Sequence, residues 1–306
     1  MTSFARIANV VARRKPATTH GLCVVDKPAG VTSHDVVGML RQRFHERQVG
    51  HAGTLDPDAT GVLIVAVGMG TKLLRFVEKT TKHYVGEVVL GTETSTLDAG
   101  GEVTAIHDMS DVTVERARQV AAAHLTGDIE QIPPMVSAIR VGGRRLHELA
   151  REGIEVERRP RPVTIHSFAV DEGPEPGVLS IDVECSAGTY IRTLAADLGH
   201  LLGGGAHLRN LRRTAVGEFG LDEAGAPDRC ELLPVDATVR GLERVDVDAD
   251  TAALIGNGRV LPRFDAVADA GPWAVFGPDG VLLAVYERFR DDLAKPSVVL
   301  PTATGR

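Results

Sequence analysis

The 306-residue sequence predicts an α+β protein with a mixed sheet, followed by a small all-β domain that begins near residue 233. In the first two thirds, strand-like and helix-like segments do not alternate one to one, as they would in a doubly wound parallel sheet. From about residue 233 the chain becomes more acidic, and short strand-like segments are separated by turns. A hydrophobic content of 43% is sufficient for a sizeable core.

The strands of the first part are apolar or β-branched runs that end at turn residues. We expect them at residues 21–26, 62–67, 83–90, 135–141, 161–170 and 179–185. The helices show apolar residues at helical spacing. We expect them at residues 33–44, 71–78, 111–125, 144–151 and 189–202. Thr32 or Ser33 is a suitable N-cap for the first helix, and Thr189 for the last.

The charge of the chain is unevenly distributed. The formal net charge is −7, which alone argues against a nucleic-acid partner. Residues 1–82, however, contain twelve basic and six acidic residues, and residues 140–161 contain seven arginines against four glutamates. A polyanion remains a possible partner if these segments share a face; otherwise they are solvated surface charges.

The three cysteines, Cys23, Cys185 and Cys230, are far apart and form no metal-binding spacing, so we expect neither a structural metal nor a disulfide. The longest apolar runs are far too short to span a bilayer. The first residues lack the long apolar segment of a secretory signal. We therefore expect a cytoplasmic protein without a membrane partner.

Two carboxylates stand in the segment GHAGTLDPDATGVL at residues 50–63. Asp56, Asp58 and Thr60 match the D-x-D-x-T pattern of haloacid dehalogenase-type phosphatases, in which an aspartate attacks a phosphoryl group beside Mg²⁺. In those enzymes the apolar strand precedes the motif, whereas here it follows. A rigid turn around Asp56 suits an exposed reactive carboxylate, but it equally suits an Asx-turn that only shapes the loop.

Arg192 lies in the first turn of the helix predicted at residues 189–202. The positive end of the helix dipole disfavours a cation at this position. A phosphate or a carboxylate such as Asp56 would compensate for it, although a solvated surface arginine is the simpler alternative.

An aromatic side chain and a histidine are further candidates. Tyr84 begins a predicted strand and is either a core residue or a ring that stacks on a base. His51, next to two glycines, either faces a ligand or is an ordinary loop histidine.

Six separated stretches together resemble the TruB family of tRNA pseudouridine synthases. They occur in the family's order and are VVDKPAGVTSHDVV (24–37), GHAGTLDPDATGVLIVAVG (50–68), KTTKHYVGEVVLG (79–91), QIPPMVSAIRVGGRRLHELAREGIEVERR (131–159), CSAGTYIRTLAADLG (185–199) and AHLRNLRRTAVGEF (206–219). Agreement at six places is far more specific than any one short motif.

The resemblance implies roles for individual residues. Asp56 corresponds to the catalytic aspartate, Arg192 to the arginine that pairs with it, and Tyr84 to the tyrosine that stacks on the target base. The remaining matches are substrate-binding positions, namely His51, Lys27 and Leu211, with Arg140 and Arg144 as candidate phosphate contacts. Asp58 falls at a variable loop position.

The same resemblance implies the architecture and the activity. It implies a mixed, mainly antiparallel pseudouridine-synthase sheet at residues 1–232, with an RNA-binding thumb at about 131–160, and a PUA-like all-β domain at 233–306. The expected activity is isomerisation of uridine 55 in the T loop of tRNA, by a monomer, with base flipping and without cofactor or metal. An RNA-binding module without activity is an alternative.

Overall fold

The computed structural model describes residues 16–137, 140–146, 149, 152–154, 156–264 and 271–301. The strands are β1 (Gly21–Lys27), β2 (Val49–Ala52), β3 (Thr60–Val67), β4 (Lys82–Leu90), β5 (Thr92–Thr94), β6 (Val103–Ile106), β7 (Gly127–Gln131), β8 (Arg140–Val141), β9 (Arg144–Arg145), β10 (Arg161–Glu172), β11 (Val178–Cys185), β12 (Ala206–Val216), β13 (Phe219–Gly220), β14 (Glu243–Asp246), β15 (Leu261–Pro262), β16 (Trp273–Phe276), β17 (Leu282–Arg288) and β18 (Leu293–Val299). The helices are α1 (Ser33–Arg43), α2 (Leu74–Glu78), α3 (Val114–His124), α4 (Ile191–Leu201) and α5 (Ala249–Gly256), with 3-10 turns at Gly68–Lys72 and Val235–Val239.

The main sheet contains nine strands in the order β1-β3-β12-β4-β11-β10-β7, with β2 paired to β3 and β13 paired to β12. All of these pairs are antiparallel except β3 with β12, where Arg212 and Arg213 lie opposite Thr60 and Gly61. The predicted α+β class with a mixed, mainly antiparallel sheet is therefore confirmed.

The continuous apolar run of β3 is explained by burial on both faces of the sheet. Leu63, Val65 and Val67 pack into a cluster with residues of α1, α3 and α4. Val62 and Ile64 point to the opposite face, where they join a second cluster. Since successive side chains of a strand face opposite sides, a strand covered on both sides needs apolar residues at every position.

The central strand β12 was not expected from the sequence. Its segment AHLRNLRRTAV is rich in arginine and lacks an apolar alternation. The structure resolves the discrepancy, because Arg213 is only 1% exposed and donates to the backbone carbonyls of Val62 and Gly53. The short strands β2, β5, β6, β7 and β13 were also not predicted.

Part of the predicted thumb differs from the expectation. Of the strand predicted at 135–141, residues 135–137 are not a strand and residues 138–139 lie outside the described residues. Arg140–Val141 is a strand, and it pairs with Arg144–Arg145 around the Gly142-Gly143 turn. The helix predicted at 144–151 is wrong at its start for this reason, and residues 147–148 and 150–151 lie outside the described residues.

The C-terminal part forms a separate five-stranded sheet in the order β14-β16-β17-β18-β15. The helix α5, capped by Asp248, accompanies this sheet and was not predicted. An apolar cluster packs the C-terminal sheet against the two 3-10 turns; it contains Leu73, Val239, Ala274, Phe276, Leu282, Val285 and Leu300. Within the described ranges, no helix is long and apolar enough to cross a membrane.

Gly61 provides a test of the β3–β12 pairing. Its φ is +102°, and a Cβ atom there would lie 2.1 Å from the carbonyl oxygen of Arg213. We expect Gly61→Ala to lower the free energy of unfolding by at least about 2 kcal/mol, because both the backbone strain and the overlap must be relieved. Urea denaturation measures this change.

Gly38→Ala is the matched control. Gly38 lies in α1, and no atom lies within 4 Å of the position that an added methyl group would take. Alanine is favoured over glycine in a helix by about 1 kcal/mol. This variant should therefore be more stable than the parent chain, and equal destabilisation of both variants would contradict the close approach at Gly61.

Candidate active site

The loop between β2 and β3 carries Asp56 and is held at several backbone atoms. The ammonium of Lys27 donates to the carbonyl of Pro57 at 2.8 Å, and the amide of Gly30 donates to the same oxygen at 3.0 Å. The hydroxyl of Ser33 donates to the carbonyl of Leu55 at 3.0 Å and accepts from its amide at 2.9 Å. These contacts fix the backbone on both sides of Asp56.

Arg192 places a buried guanidinium next to the carboxylate. Its side chain is 6% exposed, and its Nε lies 3.0 Å from Oδ2 of Asp56. Its Nη1 lies 3.4 Å from Oδ2 of Asp98 and donates to the carbonyl of Thr96 at 2.9 Å. Its Nη2 donates to the carbonyl of Val136 at 2.8 Å. All three nitrogens of the guanidinium are thus engaged.

The helix that carries Arg192 begins two residues later than expected. α4 starts at Ile191 with Tyr190 as its N-cap residue, and the predicted cap Thr189 instead donates to the carbonyl of Ser186. Arg192 nevertheless lies in the first turn, where the helix dipole disfavours a cation. The two carboxylates, Asp56 and Asp98, compensate for the charge of Arg192, so the alternative of a solvated surface arginine is wrong.

Tyr84, Leu211 and Arg213 line the same cleft as Asp56 and Arg192. Tyr84 is 8% exposed, and burial raises the pKa of its hydroxyl, while Arg213 acts to lower it. The guanidinium carbon of Arg213 lies 5.9 Å from the centre of the Tyr84 ring. β4 and β12 bring these residues together, because Tyr84 pairs with Arg213 in the sheet register.

The cleft has a volume of about 520 Å³, within the range of small-molecule sites. Its lining includes five basic and two acidic side chains; these are Arg75, Lys79, Lys82, Arg192, Arg213, Asp56 and Glu78. The surface of the cleft is therefore electropositive although the whole chain is acidic. Such a surface suits a polyanionic substrate.

The protonation of Asp56 depends on competing effects. Burial raises the pKa of Asp56 above that of a free aspartate, and the nearby Asp98 carboxylate raises it further. Arg192 and Lys27 act in the opposite direction, without cancelling the increase. The environment therefore makes this carboxylate more basic than a solvated one.

His51 and Lys27 do not line the cleft. His51 lies in β2 with its Nδ1 buried and without a hydrogen-bond partner, and burial together with Arg213 lowers its pKa. Lys27 is fully buried, and its ammonium donates to the carbonyls of Pro28, Val31 and Pro57. All three of its protons are used inside the protein.

The predicted phosphate contacts lie in the hairpin β8–β9. Arg140 is placed in β8, and Arg144 in β9 forms an ion pair with Glu152. Arg144 does not line the cleft. Arg144 therefore lies outside the immediate surroundings of Asp56.

Three residues of the site were not identified from the sequence. Asp98 looks like a turn residue in TLDAGG, and only the pairing of its loop with Leu208 brings it to Arg192. Lys82 precedes the strand that was predicted from 83 and lines the cleft. Burial lowers the pKa of Lys82 to about 8. Arg213 was hidden in the unpredicted strand β12.

Comparisons with known proteins identify the family of this chain. The family model described as "TruB family pseudouridylate synthase (N terminal domain)" matches residues 41–191. Models of two TruB C-terminal domains match residues 192–233 and 242–301. A curated relative from Streptomyces coelicolor, named tRNA pseudouridine synthase B, is 47% identical over 90% of this chain and 96% of its own length. The chain belongs to the TruB family.

Other TruB relatives are equally extensive matches. A tRNA pseudouridine synthase B from Rhodococcus jostii is 46% identical over 96% of this chain and 99% of its own length. Among solved structures, a chain of an H/ACA ribonucleoprotein bound to a substrate RNA containing 2'-deoxyuridine aligns with a TM-score of 0.68 at 22% identity, covering 93% of this chain and 86% of that chain. This structural likeness supports the TruB fold.

Membership of the TruB family also decides between the interpretations of the Asp56 motif. TruB proteins are pseudouridine synthases, which are isomerases, so the match to the phosphatase pattern is accidental. The strand order agrees, because β3 follows the aspartate instead of delivering it from its carboxyl end.

The raised pKa of Asp56 can be measured by ¹³C NMR titration of the aspartate carboxyl carbons, with Asp56→Asn used for assignment. We expect a midpoint above that of a free aspartate. Asp98→Asn should lower the midpoint, because it removes a neighbouring negative charge. The neighbour Asp58 is exposed and is not among the largest contributions to the pKa of Asp56, so Asp58→Asn should change the midpoint less than Asp98→Asn does. An unshifted Asp56 would contradict the assigned environment.

Proposed function

We propose that this protein converts uridine 55 in the T loop of tRNA to pseudouridine, with Asp56 as the catalytic carboxylate. The observation that carries the proposal is the Asp56–Arg192 pair, with 3.0 Å between Oδ2 and Nε, at a cleft that Tyr84 also lines. The names of the curated relatives, tRNA pseudouridine synthase B, support the choice of tRNA as substrate.

The reaction breaks the bond between N1 of uracil and C1' of the ribose, turns the base and joins C5 to C1'. No redox step is required. The ionised carboxylate of Asp56 acts as a nucleophile at C1' or on the uracil ring, or as a base that removes a proton from the sugar. In each case Arg192 favours the ionised form and holds its position.

The target base has to leave its stack before it can enter the cleft, which costs a few kcal/mol. In this proposal the ring of Tyr84 stacks on the flipped uracil, and Leu211 contacts it from β12. His51, whose pKa is lowered, is neutral at physiological pH and occupies the space that the base leaves. The hairpin with Arg140 and Arg144 binds the RNA backbone.

Residues 1–232 form the catalytic domain and residues 233–306 the PUA-like domain in this proposal. The thumb corresponds to residues 131–160, and the T stem-loop is the part of tRNA that the electropositive cleft receives. The reaction itself requires no cofactor. A monomeric state and a cytoplasmic location remain predictions from the sequence.

Lys27 receives a different role from the one that the resemblance implied. Because its three protons are donated to backbone carbonyls, it positions the Asp56 loop instead of binding substrate directly. Burial lowers the pKa of Lys27, because an ammonium removed from water is less stable in its charged form.

Asp56→Asn should abolish pseudouridine formation in a T stem-loop RNA while leaving RNA binding largely intact. The substitution keeps the size of the side chain but removes the reactive charge. Pseudouridine mapping of the RNA and a binding titration measure the two effects. Asp58→Asn, two residues away on the exposed side of the loop, should retain turnover. Pseudouridine formation by Asp56→Asn would refute the proposal, and binding without turnover by the unmodified protein would favour an RNA-binding module.

Lys27→Met should lower kcat by about tenfold or more with little change in the Kd for RNA, because the loop around Asp56 loses its fixed position. Single-turnover rates and binding titrations separate these quantities. Lys72→Met, a substitution in the 3-10 turn away from the cleft, is the control. Loss of RNA affinity at unchanged kcat would instead assign Lys27 to substrate binding.

A further inference from the structure

Arg213 is a buried cation that the proposed reaction does not yet use. It is 1% exposed, and its Nε and Nη2 donate to the carbonyls of Val62 at 2.7 Å and Gly53 at 2.9 Å. Both acceptors are neutral. No carboxylate of the described residues lies within ion-pairing distance of Arg213, in contrast to Arg192, which contacts two.

The position of Arg213 directs this charge toward the cleft. The residue lines the cleft together with Asp56, Tyr84 and Leu211. Its guanidinium carbon lies 5.9 Å from the centre of the Tyr84 ring, on which the proposed target base stacks. Nε and Nη2 are occupied by backbone carbonyls, which leaves Nη1 as the remaining donor nitrogen of the guanidinium.

The neighbouring groups respond to an uncompensated positive charge. After the larger effect of burial, Arg213 lowers the pKa of Lys82 and of His51, and it opposes the raised pKa of the Tyr84 hydroxyl. A buried cation without a counter-charge is unfavourable in the resting protein. Such a cation is useful when negative charge develops beside it during a reaction, because it needs no reorganisation at that moment.

We propose that Arg213 stabilises the negative charge that develops on the uracil ring during isomerisation. The inference rests on the proposed function, but it does not depend on which of the three routes Asp56 follows. If the carboxylate attacks C1', or removes the C2' proton, the N1–C1' bond breaks with its electron pair on the base. The uracil then carries negative charge over N1, O2 and O4.

If the carboxylate instead adds to C6 of the ring, the electron pair of the C5–C6 bond moves toward O4, and the ring is again negative. In every route the N1–C1' bond breaks, C5 bonds to C1', the proton at C5 leaves and N1 gains a proton. The bond that Asp56 formed to C1' or to C6 breaks again, or the proton that it took from C2' returns there, so the free carboxylate is restored. The sequence is redox-neutral and uses no co-reactant. A cation fixed beside the stacked ring lowers the barrier of the step in which the ring becomes negative.

The test compares T stem-loop RNA that carries uridine or 5-fluorouridine at the target position. Fluorine withdraws electrons and makes the ring accept negative charge more readily, so stabilisation by the protein matters less. Under single-turnover conditions we expect Arg213→Met to slow the loss of the N1-linked nucleoside on the order of 10²-fold with uridine. With 5-fluorouridine the reduction in rate caused by Arg213→Met should be at least about fivefold smaller, and the Kd for RNA should not change.

Two further variants complete the experiment. Arg213→Lys keeps the positive charge and should be less impaired than Arg213→Met, which also covers the case in which the methionine variant does not fold. Arg212→Gln is the matched control, because Arg212 precedes Arg213 in β12 but pairs with Asp26 outside the cleft.

The outcomes are distinguishable. If Arg213→Met reduces the rate equally with both RNAs, Arg213 is a positioning residue for Gly53 and Tyr84, and the proposal is overturned. No loss with either RNA would also overturn it. If the unmodified protein leaves every uridine unchanged, the proposed function itself fails. A smaller loss with 5-fluorouridine supports the charge-stabilising role.

Discussion

The burial of one guanidinium organises the site. Arg192 begins a helix, where the backbone already presents positive charge, and it is almost completely removed from water. It is tolerable there only because two carboxylates and two backbone carbonyls surround it. Those four partners come from three different loops. Satisfying this single cation therefore fixes the relative positions of loops that are distant in sequence.

The same requirement explains why the Asp56 loop is so well supported. A carboxylate that must meet Arg192 at 3.0 Å cannot lie on a freely moving turn. Lys27 and Ser33 bind the loop backbone from one side, and Arg213 binds the carbonyl of Gly53 from the other. Three cations therefore meet at one loop. Arg192 pairs with the carboxylate of Asp56, whereas Lys27 and Arg213 hold the backbone on either side of it in sequence.

The sequence predicted those features that depend on a local residue pattern or on one unfavourable local charge. The covered strand β3, the helix α4 and the pairing of Arg192 with Asp56 are of this kind, because an unfavourable cation at a helix start favours a nearby anion. Asp98 was not predictable, since its position results from the pairing of its loop with Leu208. Nor was β12, whose arginine-rich pattern describes a surface strand although Arg213 is buried.

The order of the strands has a consequence for synthesis of the chain. β12 lies between β3 and β4 in the sheet, yet it is translated more than a hundred residues after either. Until it is inserted, the facing edge of β4 and the Thr60–Gly61 end of β3 have no partner, whereas Ile64–Val67 of β3 already pair with β2. Unpaired edges invite association with other chains. The parallel pairing of Thr60 and Gly61 with Arg212 and Arg213 also closes a long loop, which favours slow folding. The nascent chain thus contains Asp56 well before it contains Leu211 and Arg213, which line the cleft from β12. The site is complete only after β12 has joined the sheet.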